Sequence, residues 1–201
     1  MQKMTIASTI GLGIAVTFST VARAEDTTHK YTVQIGVSQL ANKTARNATK
    51  NSGTAIGVGY QLPKKGKSGT SSVDALMTSS SGKGQKIETT GLYYSERFLA
   101  SSEGKSTMKF YYGGGIGVAE SKFRSPAASN GGNAGNAGDV GTTPTAASTM
   151  KTTGIAGRLL VGAQFQQGLM LELGYNLNPK VKVGTTRLNT STLSLTLGKA
   201  F

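Results

Sequence analysis

Apolar side chains alternate with small or polar ones through most of this chain, and the alternation falls into eight segments. A period of two puts successive side chains on opposite faces of a strand, so each segment is predicted to be a β-strand with one apolar face. The first, Tyr31 to Ser38, sets Tyr31, Val33, Ile35 and Val37 against Thr32, Gln34, Gly36 and Ser38. The second, Thr54 to Leu62, sets Ile56, Val58, Tyr60 and Leu62 against Ala55, Gly57, Gly59 and Gln61. In the third, about Ser71 to Ser79, only Val73, Ala75 and Met77 hold the pattern. The fourth, about Ile87 to Leu99, has Leu92, Tyr94 and Phe98 in phase with Glu96 among them, which leaves its register open and admits a bulge. The fifth, Met108 to Ala119, sets Phe110, Tyr112, Ile116 and Val118 against Lys109, Tyr111, Gly113, Gly115 and Gly117. The sixth, about Gly154 to Phe165, sets Ile155, Leu159, Val161 and Phe165 against Arg158, Gly162 and Gln164. The seventh is the cleanest: Leu169, Leu171, Leu173, Tyr175 and Leu177 alternate with Met170, Glu172, Gly174 and Asn176. The eighth, Thr192 to Phe201, shares Leu193, Leu195, Leu197 and Phe201 on one face and Ser194, Thr196, Gly198 and Ala200 on the other.

An even number of antiparallel strands brings the last beside the first, so the predicted fold is all-β: an eight-stranded antiparallel up-and-down transmembrane β-barrel with both termini on one side. The connections 63–69, 100–107 and 166–168 are short, whereas those after the first, fifth and seventh segments are mostly longer, with Phe123 to Thr149 much the longest. Only the connection around Ser80 to Lys86 breaks the trend. Short periplasmic turns and long external loops characterise outer-membrane barrels, which places the chain's start in the periplasm. Tyr31, Tyr60, Phe98, Phe110, Phe165 and Phe201 then all fall at periplasmic strand ends, as an interfacial aromatic girdle requires.

The N-terminus agrees with export. Lys3 precedes an uncharged apolar or small run from Thr5 to Thr20, and Ala22-Arg23-Ala24 supplies a small-x-small site, so residues 1–24 read as a cleaved signal peptide and 25–201 as the barrel. The run is too short and too interrupted by Thr and Ser to span a membrane as a helix. No later stretch is apolar enough to do so, and strands cross a bilayer only in a closed barrel.

About 177 mature residues suit one domain, and 28 glycines without a cysteine fit a sheet-rich exported protein that does not depend on disulfides. Removing Lys3 and Arg23 lowers the net charge from +13 to +11. The cations are scattered through turns and loops with no aromatic stacking platform, so anionic lipid is a better partner for them than nucleic acid.

A soluble barrel or sandwich would show the same alternation with its apolar face turned inward. Its other face should then be rich in charge and Thr, yet here that face carries Gly57, Gly59, Gly113, Gly115, Gly117, Gly162, Gly174 and Gly198 with a few isolated charges. Small side chains suit the inside of a narrow barrel. Lys109, Arg158 and Glu172 are then expected inside, where charges must be paired. Arg158 and Glu172 lie on neighbouring strands and are expected to form an interior ion pair.

The segments KFYYGGGIGVA (Lys109 to Ala119) and LELGY (Leu171 to Tyr175), with the ending SLTLGKAF, resemble the small eight-stranded outer-membrane barrels of the opacity-protein type, similar in architecture to the transmembrane domain of outer membrane protein A. The resemblance covers essentially the mature chain. It implies a Gram-negative outer membrane and a C-terminal strand, through Leu193, Leu195, Leu197 and Phe201, recognised by the barrel assembly machinery. Lys199 departs from that pattern, where an apolar or aromatic residue is usual. No periplasmic peptidoglycan-binding domain is expected. Members serve as adhesins, surface-shielding proteins or narrow solute pathways, so the motifs specify the barrel and not its function.

Chemistry is scarce along the chain. Some barrel enzymes that modify lipid A resemble this protein in size and use a Ser-His arrangement near the outer rim, but the single histidine, His29, falls at the periplasmic foot. No catalytic residue, cofactor or metal ligand set is expected. The GGGIG run at Gly113 lies mid-strand without a following helix and reads as barrel packing, and Asn130 to Gly141 as a flexible part of the external loop 123–149. The function expected is non-enzymatic, a structural or surface-interaction role through external loops. A narrow porin-like channel is the alternative and a lipid A-modifying enzyme a remote one. The cations Lys43, Arg46, Lys50, Lys83, Lys86, Lys122, Arg124, Lys180, Lys182 and Arg187 all fall on the external side with few carboxylates among them. Lys122, Arg124, Lys180 and Lys182 are the expected contacts to lipopolysaccharide phosphate.

Overall fold

The computed structural model describes residues 31–49, 52–62, 69–100, 108–126 and 148–201. Residues 1–24, expected to be a signal peptide, together with His29 and residues 127–147, lie outside them. Eight strands close a barrel: β1 (Tyr31–Leu40), β2 (Gly53–Leu62), β3 (Gly69–Gly82), β4 (Gln85–Leu99), β5 (Met108–Ser125), β6 (Ser148–Phe165), β7 (Leu169–Leu177) and β10 (Thr192–Ala200). All neighbours are antiparallel, and β10 pairs with β1 to close the ring. Phe201 completes the seam, its N–H donating to the Tyr31 carbonyl at 2.8 Å and its carbonyl accepting from the Tyr31 N–H at 3.3 Å.

The outward positions are those the alternation assigned. Val33, Ile35 and Val37, then Leu171 and Leu173, then Leu193, Leu195 and Leu197 are exposed on the outer face, while Gln34, Glu172, Ser194 and Thr196 are buried in the lumen. A belt of exposed aliphatic side chains around a closed barrel is a surface made for hydrocarbon, and every backbone group within it is paired by the ladder. The six girdle aromatics are exposed at the end shared by the start of β1 and the finish of β10, and Tyr31 stacks against Tyr60 across the strand pair at 5.2 Å.

Three expectations are corrected. β4 carries no bulge, since it pairs without interruption from Lys86 to Leu99 with β5 and along its whole length with β3. Glu96 keeps the outward phase because the Tyr94 hydroxyl (3.1 Å) and the Ser71 hydroxyl (3.4 Å) donate to its carboxylate. The connection at Ser80 to Lys86 is a two-residue turn at Lys83 and Gly84, both at positive φ (51° and 74°), as a hairpin turn requires. β5 and β6 also run on to Ser125 and back from Ser148, so Lys122 and Arg124 lie in strand and not at a loop root. Their alternation persists above the belt, with polar side chains replacing apolar ones on the outer face.

The fourth external connection folds as a short hairpin of β8 (Val181–Val183) and β9 (Thr186–Leu188), and the first contains a helix, α1 (Lys43–Ala48). Asn42 starts α1 by accepting from the Thr44 and Ala45 N–H groups at 2.8 and 3.3 Å. Glycine makes the tight curvature possible: a Cβ on Gly117 would strike the Leu92 carbonyl of β4, and one on Gly36 the Leu195 carbonyl of β10.

Candidate functional site

The inside of the barrel is filled in layers. At the external mouth Leu40, Ala45, Ile87, Phe123, Val181 and Leu188 pack as an apolar plug, with Met150 and Val183 against it. The plug draws on α1 and on the β8–β9 hairpin, so both connections fold over the lumen. Beneath it lie the hydroxyls of Thr89, Ser121 and Thr190, joined at 3.1 and 2.9 Å. Leu76, Tyr93, Ala119 and Ala156 form the next apolar layer, and the Tyr93 hydroxyl donates to Asn178 at 3.1 Å.

Below these sits an ionic cluster of two arginines and two carboxylates. Arg158 Nη2 donates to Glu172 Oε1. Arg97 Nε donates to Glu172 Oε2 at 3.2 Å, and its Nη2 donates to Asp74 Oδ2 at the same distance. Arg158 Nη1 lies 3.5 Å from that Asp74 oxygen. The Tyr111 hydroxyl donates to Glu172 at 3.1 Å, the Ser72 hydroxyl to Asp74 at 3.1 Å, and the Gln34 amide reaches Glu172 at 3.5 Å. Glu172 is 1% exposed, Arg158 2% and Asp74 4%. Such burial is tolerable because the charges balance and each carboxylate accepts from several donors.

Inward glycines make room for the cluster. Arg158 faces Asn176 across the ladder and reaches Glu172 by passing over Gly174, while the Tyr111 ring lies over Gly162, opposite Glu172. Arg158 and Glu172 are thus brought together in the lumen. Lys109, expected inside with them, is exposed at the periplasmic end because its inward position is the second of β5 and its side chain escapes to water. Asp74, Arg97, Tyr111 and Gln34 were missed as partners. The signal that could have found them is parity, since Asp74 shares the inward phase of Ser72 and Leu76, and Arg97 that of Tyr93 and Ser95.

The four cations expected to meet lipid phosphate separate into two settings. Lys122 and Arg124 lie on the outer wall, where in-register rows cross β4, β5 and β6: Leu92–Val118–Ile155, then Thr90–Glu120–Thr153, then Glu88–Lys122–Lys151, then Lys86–Arg124–Thr149. The apolar belt ends at the first of these rows, where Ile155 is 80% exposed, and cations begin about 14 Å further along the strands, two residues per row at roughly 3.4 Å each. This wall holds more carboxylate than expected: Lys122 pairs with Glu120 at 2.8 Å, and Glu88 accepts from Lys86 at 2.7 Å and Arg124 at 3.3 Å. Lys180 and Lys182 instead stand exposed at the mouth, Lys182 directly across β8–β9 from Arg187.

The expected assembly residues Leu193, Leu195, Leu197 and Phe201 are all exposed on the outer face of the last strand, and Lys199 stands over the Phe201 ring with its ammonium 5.4 Å from the centroid. Among the described residues no group of three or more metal-ligating side chains converges.

No protein-family model matches the chain, and no curated protein matches it. Among solved structures it is similar to neisserial surface protein A, NspA, at 16% identity and a TM-score of 0.54, over 84% of this chain and 94% of that one. It also aligns with the outer membrane enzyme PagL (16% identity, TM-score 0.45, 85% and 98% covered) and with the Yersinia pestis outer membrane protein Ail (12%, 0.40, 86% and 99%). The likeness to NspA is one of fold. With the apolar belt and the polar lumen, it makes the chain an outer-membrane β-barrel in contact with membrane lipid.

Proposed function

We propose that this chain is a non-enzymatic, non-conducting surface barrel of the Gram-negative outer membrane, with a structural and surface-interaction role. The observation that carries the reading is the filled lumen: an ionic cluster drawing on β1, β3, β4, β5, β6 and β7 lies beneath an apolar plug formed by two external connections packed on the upper ends of β1, β4 and β5. A solute would have to break charge-assisted bonds at one level and displace packed Leu, Ile, Val and Phe side chains at another. This weighs against the porin-like alternative. The carboxylates Asp74, Glu172, Glu88 and Glu120 are all engaged by arginine or lysine, which favours a scaffold over an acid-base catalyst.

Two partners follow from the outer surface. The cationic rows of β4–β6, which begin about 14 Å beyond the last apolar row, suit the phosphates of lipopolysaccharide, and the alternating C-terminal strand with Phe201 suits the barrel assembly machinery. The test is electrical and chemical. Purified protein in planar bilayers should give no steady open level, and lipopolysaccharide incubated with it should keep its acyl chains by mass spectrometry. A stable ohmic conductance would replace this reading with the channel, and loss of an acyl chain would replace it with the enzyme.

A further inference from the structure

Two in-register rows of outward side chains cross the wall from β4 towards β10. One is Glu96–Gly114–Leu159–Tyr175–Leu193, and the row on its periplasmic side is Phe98–Tyr112–Val161–Leu173. Strands in a closed barrel are tilted, so such rows run obliquely through the bilayer. Their lower end lies at Phe98, the last residue but one of β4, and their upper end at Leu193, the second of β10. The apolar groove between them therefore leads from the periplasmic rim into hydrocarbon. It has a volume of about 350 Å³, and Gly113 and Leu160 complete its lining between the rows. Strands stand about 4.8 Å apart, which makes the groove about 14 Å long from β5 to β10, close to the depth of one leaflet in a core about 30 Å thick.

The first row brings Glu96 to the foot of this groove. Glu96 Oε1 accepts from the Tyr94 hydroxyl at 3.1 Å and the Ser71 hydroxyl at 3.4 Å. Directly across the ladder is Gly114, where an added Cβ would have only the Arg158 carbonyl at 3.2 Å and a Leu159 methyl at 3.6 Å within contact. Gly114 thus puts no side chain between the carboxylate and the groove. Phe98 and Tyr112 stand on the periplasmic side of the corner, their rings 5.8 Å apart. A carboxylate set among hydroxyls and aromatic rings is the chemistry that receives an ammonium, whose N–H groups, charge and attraction to ring faces are all used at once. A headgroup with net negative charge would be repelled.

We infer that Glu96 and the groove form a binding site for an aminophospholipid of the periplasmic leaflet, its primary ammonium on Glu96 beside Phe98 and Tyr112 and one acyl chain laid along the groove past Gly114. A lysine of another protein would offer the same ammonium, but the apolar groove that continues from the corner lies in the lipid-facing belt and has the shape of a chain. The inference needs only the barrel in its bilayer. Whether the lumen conducts is a separate question.

The test uses the full mature protein in detergent with equal amounts of phosphatidylethanolamine, phosphatidylcholine and phosphatidylglycerol of one acyl composition, and native mass spectrometry counts the lipids retained. The parent should retain the ethanolamine lipid about fivefold over either of the others. Adding N-methyl groups to it one at a time, at constant charge, should lower that preference stepwise, which probes the site without any substitution. Glu96→Gln should reduce the preference to less than about twofold with total bound lipid unchanged. Gly114→Leu, which fills the groove, should reduce retention of all three lipids. Heat-modifiability confirms that each variant is folded. Equal retention of ethanolamine and choline lipids by the parent would overturn the inference, as would an undiminished preference in Glu96→Gln. A dimer formed without lipid and dissociated by Glu96→Gln would assign the corner to a protein ammonium and overturn it as well. Conductance, measured separately, tests the scaffold reading and is indifferent to all of these outcomes.

Discussion

Arg97 on β4 and Glu172 on β7 meet inside the barrel, Nε to Oε2 at 3.2 Å, although two strands separate them around the wall. A contact of this kind crosses the lumen instead of following the ladder, and it ties opposite parts of the ring together. Arg97→Ala would leave Glu172 and Asp74 each short of a buried donor. We expect a loss of about 3–5 kcal/mol, the usual effect of breaking a buried pair from one side. Urea titration of the refolded barrel measures it, and Arg97→Ala with Glu172→Ala together should lose less than the sum of the two single changes. Strict additivity would mean that the pair contributes nothing.

Arg158→Ala should destabilise the barrel more than Lys199→Ala. Arg158 is 2% exposed and serves both carboxylates, whereas Lys199 lies near the periplasmic interface against the Phe201 ring. A lipid-facing charge at that depth costs only about 0–1 kcal/mol, so Lys199→Tyr should be mild. The same titration compares all three variants.

Deleting Phe201 removes two backbone hydrogen bonds to Tyr31 and the last apolar residue of the closing strand. Export across the inner membrane should be unaffected while folded protein in the outer membrane falls. The fraction of heat-modifiable band in outer-membrane preparations reads this directly, and an unchanged fraction would end the case for Phe201 as an assembly signal.

Replacing Lys122 and Lys151 by Gln should lower thermal stability in bilayers containing lipopolysaccharide and leave it unchanged in neutral detergent. Each cation near an anionic surface contributes about 1 kcal/mol. The mouth pair Lys180→Gln, Lys182→Gln should be nearly silent in the same assay, because those side chains face the medium. Equal shifts in both media would remove the lipid from the account.

Gly117→Val should weaken the β4–β5 seam. Its Cβ would occupy the place of the Leu92 carbonyl, so the strands must part or shift, at about 1–3 kcal/mol. Gly114, which faces outward, has a milder neighbourhood, with nothing closer than the Arg158 carbonyl at 3.2 Å, and Gly114→Ala should be tolerated better by the same measure.

How much of this was legible along the chain depended on whether a residue's period and its chemistry agreed. From Leu169 to Leu177 every outward position is Leu or Tyr, and strand, face and partner of Glu172 can all be read. Glu96 and Arg97 broke the pattern only in composition: both keep their phase, but a charge on the lipid side suggested a bulge where a Tyr94 hydroxyl simply satisfies it. The upper parts of β5 and β6 looked like loop because their outward residues are Glu, Lys and Arg on β5 and Thr and Lys on β6, polar side chains of the kind a strand needs once it leaves hydrocarbon. The six-residue α1 and the three-residue β8 and β9 are too short to carry a period, so the plug they build was invisible until tertiary structure brought Leu40, Phe123 and Val181 together. Asp74 and Arg97 joined the cluster for the same reason: which strands face each other across a lumen depends on closure, and no local pattern records it.

The bond between Gln34 and Glu172 joins residues 138 positions apart, the amide coming from the first strand and the carboxylate from the seventh. Such contacts contribute nothing until nearly the whole chain is in place, and a curved sheet lacking its last strand would leave two arginines and two carboxylates around a half-open gutter. Partly built intermediates are therefore high in free energy, and the molecule should unfold in a single all-or-none step and fold slowly for its size, as chains dominated by distant pairings do.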